Sequence, residues 1–399
     1  MMKLRDLAAL LLLLLLCPLC AMAAGSGKTA SRLTDVRIYA IRAEEEKEAG
    51  SLPLDAVRWY WSTEEKKYYL FLPADMDPSA IRLCVSAPDT VTLEGQKIVT
   101  GELTSVPTDR DLTVRCGKES TTLVVMHSEN VPSIHISTES GSLDAIQASK
   151  DVKEKGKIQI WQGTSEQVID LDLDYIRCRG NSSFDYSKKG YQIKLSKGKN
   201  LFGMGKSKVW VLVAAYRDRS LLRNPITLDM ARYAGLPYTP EYRLVDLYCD
   251  HVYQGTYLFC EKVEIGSGRV EIRDLESATA ELNEKKLDHY AQAKKVTGKG
   301  TGRCYSIPKE PEDVTGGYLI QWDMVKRTKQ YASVYYTKKG NLMGLVSPEY
   351  LSKKQFEYIS KFLQGFENAV YSKSGTTKSG KHYSDYVDMK SLVRKYMIE

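Results

Sequence analysis

Arg177-Cys178-Arg179-Gly180-Asn181-Ser182-Ser183 gathers two arginines, a glycine and three small hydrogen-bonding side chains between a strand-like stretch at 171–176 and a second one at 191–195 that carries Lys194. A tight turn built on glycine lets successive backbone amides point into one hollow, and such a nest attracts anions. Arg179 adds a guanidinium fork that matches phosphate oxygens, and Asn181, Ser182 and Ser183 add further donors. An ordinary hairpin loop with its arginines in solvent fits the same spacing. The surrounding charge bears on that choice: residues 175–235 hold thirteen Lys and Arg against Asp185, Asp218 and Asp229, so 13 − 3 = +10, more than the +7 of the whole chain. A solvated basic face and a site for phosphates or another polyanion both explain such a concentration. A groove for single-stranded nucleic acid does not, because aromatics fail to interleave with the charges; only Phe184, Tyr186 and Tyr191 lie near the turn.

Working outward, 399 residues suggest two or three domains. Lys3 and Arg5 precede an apolar run at 7–16, and Ala21-Met22-Ala23 follows with the spacing of a cleavage site. This reads as a Sec-type signal peptide over 1–23 and an exported mature chain starting near Ala24. The run is shorter than the ~20 residues that span a bilayer, so no membrane anchor is expected. A lipoprotein signal at Cys20 is the alternative, against which Leu19 stands where a small residue is usual. Six further cysteines, Cys84, Cys116, Cys178, Cys249, Cys260 and Cys304, are scattered without repeated spacing, which leaves room for one or two bridges. The five histidines are as dispersed, so a His/Cys metal site is not expected.

Residues 24–56 read as a polar leader. Residues 57–128 show short alternating runs at 68–72, 81–85, 91–93, 112–115 and 122–126, separated by turn residues such as Asp75, Asp77, Pro78, Gly95 and Gly117. That pattern predicts a small antiparallel sandwich, with a role in spacing or adhesion. A new unit, 130–399, starts with strands at 133–137, 157–161 and 171–176 and continues past the turn with strands at 191–195 and 210–215. A helix follows, for which Asn224 is a cap, Pro225 a first-turn residue and Gly235 a stop, with Ile226, Met230 and Tyr233 on one face. Stretches 243–248 and 253–260 form a hairpin around Asp250-His251. Residues 276–313 are charged and polar, which predicts an exposed insertion, disordered in part. Ser352 with Gln355 makes a capping box for a helix whose Phe356, Ile359, Leu363, Phe366 and Val370 recur on one face. Asp388 caps a last helix that is still running at Glu399, so the sequence reads as interrupted there.

Turn, strand lysine, helix and hairpin ending in Glu261 follow the order of the amino-terminal lobe of a protein kinase, where a loop covers ATP phosphates and a lysine holds them. Taken alone, Lys194 also fits an outward lysine on a half-exposed strand. The residues resemble the CotH kinases, secreted or spore-coat proteins with an atypical kinase fold. Arg177 through Phe184 looks like that family's RGRGNSTW, and Tyr191-Gln192-Ile193-Lys194-Leu195 resembles its YxIKL strand. Leu201-Phe202-Gly203-Met204-Gly205, Trp210-Val211-Leu212, Asp218 through Asn224, the Tyr253-Gln254-Gly255 hairpin through Glu261, Gly316-Gly317-Tyr318-Leu319 and Ser347-Pro348-Glu349 continue in family order. Cys178, Phe184, Gly190 and Gln321 depart from the family's glycine, tryptophan, proline and glutamate.

The resemblance implies an α+β chain, a kinase-like fold of the CotH type preceded by the all-β sandwich. It implies ATP as ligand, with Arg179, Gly180, Asn181 and Ser182 over the phosphates, Lys194 contacting them, Glu261 at the hinge and Arg223 beside the supporting helix. Asn224 also fits a plain cap, and Asp218 a partner for Arg219 or Arg223. The family's Asn-x-Asp and Trp-Asp-x-Asp, expected to supply catalysis and hold Mg, would lie beyond residue 399, so no catalytic residue is assigned and the chain as written is expected not to turn over. Two readings stand: an exported kinase that phosphorylates serine on a coat or surface protein, and a non-catalytic adhesion or assembly module with the same fold.

Overall fold

A computed structural model describes residues 32–43, 52–163, 166–284, 286–294 and 298–398. The signal peptide and the Cys20 alternative fall on 1–31, outside the described residues. The chain divides into two compact units, one of Met1–Lys199, Lys208–Arg219 and Arg243–Cys260, the other of Asn200–Ser207, Ser220–Tyr242 and Glu261–Glu399. This division does not follow the boundaries read from the sequence, which placed a sandwich over 57–128 and a single domain over 130–399.

In the first unit the period-two pattern becomes a two-sheet sandwich. In Lys67–Leu72, Tyr68, Leu70 and Leu72 are buried and their neighbours half-buried, as pleating requires. One sheet orders Val57–Arg58, Arg37–Arg42, Ile81–Ser86 and Leu103–Thr104; the other orders Tyr60–Ser62, Lys67–Leu72, Glu119–His127, Leu112–Cys116, Val91–Leu93 and Gln96–Lys97. Ile38, Leu83, Leu70, Val114 and Leu123 meet in one core. Two expectations change. Part of the supposed leader is a strand, since Arg37–Arg42 lies inside the first sheet. The sandwich is also not purely antiparallel, because Glu119–His127 runs parallel to Lys67–Leu72 with Leu123 opposite Tyr68. Alternation fixes which face a residue takes, not the direction of the partner strand.

Beside the sandwich, seven strands close into a barrel in the order Ser133–Thr138, Glu154–Gln162, Glu166–Arg179, Gly190–Asn200, Lys206–Val213, Val252–Glu261 and Tyr242–Cys249. Parallel pairing of Ile134 with Leu247 completes the ring, and closure removes every free edge. Ile134, Ile158, Ile176, Ile193, Trp210 and Leu247 are fully buried. Asp250 and His251 turn the hairpin with φ of 48° and 70°, as a two-residue turn matched to strand twist needs. The Asp250 carboxylate accepts from Thr138 N at 2.8 Å and Thr138 Oγ1 at 2.9 Å.

Sandwich and barrel are joined by buried polar groups. Tyr248 of the barrel lies in the sandwich core, donates to Phe71 O at 3.0 Å and stacks on His135 at 4.7 Å. Arg42 donates to Asp55 Oδ2 at 2.6 Å, pairs with Asp75 and lies 3.8 Å over the Trp161 ring. None of the six cysteines forms a disulfide among the described residues, so the one or two bridges the spacing leaves room for do not form there.

The second unit is built on a sheet ordered Gln292–Lys294, Gly302–Tyr305, Val334–Tyr336, Leu342–Ser347 and Leu319–Asp323. The helix Lys353–Val370 packs on it through Phe356 and Ile359, which meet Cys304, Tyr335 and Leu345. The capping box forms as predicted, with Gln355 N to Ser352 Oγ at 3.2 Å and Ser352 N to Gln355 Oε1 at 3.1 Å. Val370, assigned to the buried face, is exposed.

Residues 276–313 are not simply an exposed insertion. They supply most of the helix Leu275–Leu282, the edge strand Gln292–Lys294 and the interior strand Gly302–Tyr305, and they bury Leu287, Cys304, Tyr305 and Ile307. Few apolar residues suffice because a central strand is covered by its neighbours. At Gly302 a Cβ would press into Val334 O and the Phe356 ring.

The helix Arg223–Tyr233 forms where expected, but Asn224 sits inside it, Leu222 takes the cap position and no side chain caps it. Its Ile226, Met230 and Tyr233 face is exposed, Tyr233 at 96 %, while Pro225 and Ala231 are buried. Periodicity tells which residues share a face, not whether that face is covered. The last helix, Met389–Ile398, packs beside it, and Arg394 Nη1 donates to Gly235 O at 2.7 Å. Asp388 accepts from Lys390 N at 3.1 Å and Ser391 Oγ at 2.5 Å. No helix among the described residues is long and apolar enough to cross a membrane.

Candidate functional site

The opening turn joins two neighbouring barrel strands, Glu166–Arg179 and Gly190–Asn200, with Arg179 opposite Gly190, Arg177 opposite Gln192 and Tyr175 opposite Lys194. Ile176 and Cys178 alternate inward, so Tyr175, Arg177 and Arg179 share the outer face with Gln192 and Lys194. The register sets Lys194 four residues from Arg179, roughly 13 Å along the strand, with Arg177 between them. Three cations thus line one face.

Their engagements differ. Arg177 Nη2 donates to Gln192 Oε1 at 3.3 Å, while its Nε is buried with no hydrogen-bond partner. Arg179 lies with its Cγ over Gly190, where a Cβ would sit 3.5 Å away. Burial lowers the pKa of Arg179, and the like charge of Arg177 adds to the effect against the opposing influence of Cys260. No carboxylate pairs with Arg177 or Arg179 among the described residues. Lys194 is 38 % exposed and pairs with Asp174 at 3.2 Å. Asp174 is the extra residue at a bulge between Leu173 and Tyr175, which throws its side chain to the lysine's side.

Gly180 has φ +110°, and a Cβ there would collide with Ser183 Oγ. Only glycine adopts that backbone without strain. Asn181 O accepts from Phe184 N at 3.2 Å, opening the short turn Ser182–Asp185, and Ser182 is exposed. Two lysines after the turn, absent from the candidate set, hold it in place. Lys189 Nζ donates to Phe184 O at 2.5 Å, and Lys188 Nζ donates to Thr256 O at 2.6 Å, 4.4 Å over the Tyr257 ring. Burial lowers the Lys188 pKa, against the opposing pull of Asp246. Their neighbours in sequence, Arg177 and the rest of the basic segment, were the signal that could have found them. Burial pushes the Cys178 thiol up to about 11, which makes it a packing residue and not a nucleophile.

The other two candidates belong to the second unit. Glu261 is buried, its carboxylate paired with Arg269 and accepting from Glu241 N at 2.9 Å. Arg223 opens its helix, exposed, and its carbonyl accepts from Thr227 Oγ1 at 2.8 Å. The structure therefore gathers Arg179, Gly180, Asn181, Ser182 and Lys194 on one hairpin, adds Arg177 to them, and gives Glu261 a buried structural partner.

A buried guanidinium nitrogen without an acceptor, beside a second unpaired arginine, fits an oxyanion ligand with several charges. A divalent cation is a different matter: the described residues hold no group of three or more His, Cys, Asp or Glu placed to ligate one. The profile of one family, described as CotH kinase protein, matches residues 176–399, from the strand before the turn onward and over more than half of the chain. No curated protein matches the chain.

Proposed function

Because the chain belongs to the CotH kinase protein family, we propose that it binds ATP with the triphosphate along the outer face of the opening hairpin, as the nucleotide site of a kinase that transfers the γ-phosphoryl group to a serine hydroxyl of an exported coat or surface protein, with the residues that catalyse transfer not assigned in this sequence. The observation that supports this reading is the pair Arg177 and Arg179, half-buried cations without a carboxylate partner among the described residues, set beside a glycine turn. In phosphoryl transfer the protein's part is positioning and charge stabilisation. Arg179 and the amides after Gly180 suit the terminal phosphates, Arg177 adds its positive charge beside them, and Lys194 exchanges Asp174 for a phosphate oxygen. In that transfer the serine oxygen bonds to γ-phosphorus as the bond to the β–γ bridging oxygen breaks, ADP leaves, and the serine hydroxyl proton passes to water. Magnesium, when bound, would neutralise charge on the transferring phosphates; the described residues do not form its ligand set.

Thermal unfolding with and without ATP tests the proposal. Ligand at about 100 times its dissociation constant adds about 2.7 kcal/mol, and both Arg179→Ala and Lys194→Ala should remove most of that gain. Equal stabilisation of wild type and Lys194→Ala rejects the phosphate role of Lys194.

A further inference from the structure

Far along the sequence from the opening turn, the second unit holds a depression of about 950 Å³ between the long helix and the polar loop that follows it. Four lysines line it, Lys338, Lys339, Lys361 and Lys378, and none has a carboxylate partner among the described residues. The one acid in the lining, Glu367, is 7 % exposed and already committed. Its Oε1 accepts from Asn341 Nδ2 at 3.0 Å and its Oε2 from Gln364 Nε2 at 2.9 Å and Lys339 N at 3.2 Å. Burial alone would raise its pKa, yet these bonds and one from Thr337 hold the carboxyl below the usual range, so it stays an acceptor. The lining thus carries 4 − 1 = +3, with the negative charge turned inward.

The walls are fixed before any ligand arrives. Gln364 Oε1 accepts from Lys338 N at 2.8 Å and from Tyr335 OH at 2.8 Å, which ties the turn bearing Lys338 and Lys339 to the helix. On the far side Thr377 N donates to Lys381 O at 2.8 Å and Gly380 N to Thr377 O at 3.0 Å, a tight turn that presents Lys378. Gly365 lets Tyr386 lie against the helix, since a Cβ there would stand 2.6 Å from the Tyr386 hydroxyl. Lys339 is held 4.2 Å over the ring of Tyr371.

We infer that this depression is a second anion site, and that it takes a phosphorylated peptide segment. Lysine is a compact point charge that binds phosphoryl oxygens, and four of them converge on the hollow. A phosphoserine brings about −1.5 to −2 charges, enough to answer most of the +3, and Thr376, Thr377 and Ser379 add hydroxyl donors. Size argues for a chain and not a free ion: water occupies about 30 Å³ of liquid volume, so the hollow dwarfs a lone phosphate. Tyr371 and Tyr386 give flanking residues apolar surface. The serine form of the ligand rests on the kinase reading above; the oxyanion site does not.

Fluorescence anisotropy with a labelled synthetic peptide, carrying one phosphoserine among neutral residues, tests the site without requiring catalysis. We expect binding at least tenfold tighter than for the unphosphorylated peptide and at least a tenfold loss in the triple variant Lys338→Glu/Lys361→Glu/Lys378→Glu. The corresponding Lys→Gln triple, which adds no repulsion, should lose affinity in the same direction and carries the test if the reversal fails to fold. Lys194→Ala, altered in the other unit, should bind the peptide as wild type does even where it loses ATP. Equal affinity for both peptides, or undiminished binding by both triples, overturns the inference. So does a loss of peptide binding in Lys194→Ala that matches the triples, which would place the peptide on the opening hairpin. Inorganic polyphosphate binding the wild type as tightly as the peptide, with the same loss in the triples, overturns the peptide assignment in favour of a free phosphate chain.

Discussion

Replacing Gly180 by alanine separates two costs that meet at one atom. At φ +110° an L-residue lies outside its favoured regions, and holding it there costs about 1–3 kcal/mol. The new Cβ would also displace Ser183 Oγ; Ser183 is exposed and can rotate, so this part costs about 1 kcal/mol at most. With a urea slope of about 2 kcal/mol/M, a total near 2 kcal/mol moves the midpoint down by roughly 1 M. Tryptophan fluorescence reads the right unit, because Trp59, Trp61, Trp161 and Trp210 belong to it and only Trp322 to the other. Ser183→Ala alone should be near neutral, and in the double variant it should recover the contact but not the backbone cost. A Gly180→Ala midpoint within about 0.2 M of wild type at unchanged slope refutes the strain argument, and so does full rescue by Ser183→Ala.

Arg42→Met strands Asp55 and Asp75, whose side chains are each 1 % exposed, so we expect a loss of about 3–5 kcal/mol, largely recovered when both carboxylates become Asn; recovery is read from urea midpoints. Asp174→Asn frees Lys194, and because a half-exposed pair contributes about 0.2–1 kcal/mol, ATP affinity measured by calorimetry should rise up to about fivefold; a fall would mean that Asp174 serves the ligand. His135 is wholly buried, and burial, with Arg42 and His251 adding to it against Asp55, lowers its pKa from 6.5 to about 3. A neutral folded form with an unfolded chain that takes up the proton means that stability is intact above about 6.5 and is lost as pH falls from there toward 3. Between pH 6.5 and 5 the loss is about 2 kcal/mol. His135→Phe, which keeps the stack on Tyr248, should flatten that limb without abolishing it, since burial lowers the His251 pKa as well.

Local chemistry was legible and long-range pairing was not. The capping box at Ser352 and Gln355 needs four consecutive positions to specify it, and it forms. The Asp250-His251 turn is likewise set by its own two residues and the alternating strands on either side. Barrel closure, by contrast, depends on Ser133–Thr138 meeting Tyr242–Cys249 more than a hundred residues later, and nothing in either stretch names the other. The strand Gly302–Tyr305 was hidden for a different reason: it lies in a charged neighbourhood, and its burial comes from Phe356 and Val334, not from its own composition.

At the opening turn the same division decides what the residues can do. Basic side chains, glycine and hydroxyls are visible in a string of letters, and so is the alternation that sends Arg177, Arg179 and Lys194 to one face. Whether a cation is available to a ligand depends on the acids that reach it, and that is a matter of register. Lys194, the lysine singled out from the sequence, holds Asp174 because one bulge in the partner strand turns that carboxylate toward it. Arg177, quoted with the turn but given no role from the sequence, keeps a buried nitrogen without an acceptor among the described residues. An anion arriving at this face must displace a carboxylate from Lys194, whereas at Arg177 it must uncover a buried Nε that holds no acceptor among the described residues and so gains a hydrogen bond without breaking one. The arginine should therefore contribute more to phosphate affinity than the lysine does, and Arg177→Ala should cost ATP binding more than Lys194→Ala in the same titration; the reverse order would show that Asp174 leaves Lys194 at little cost.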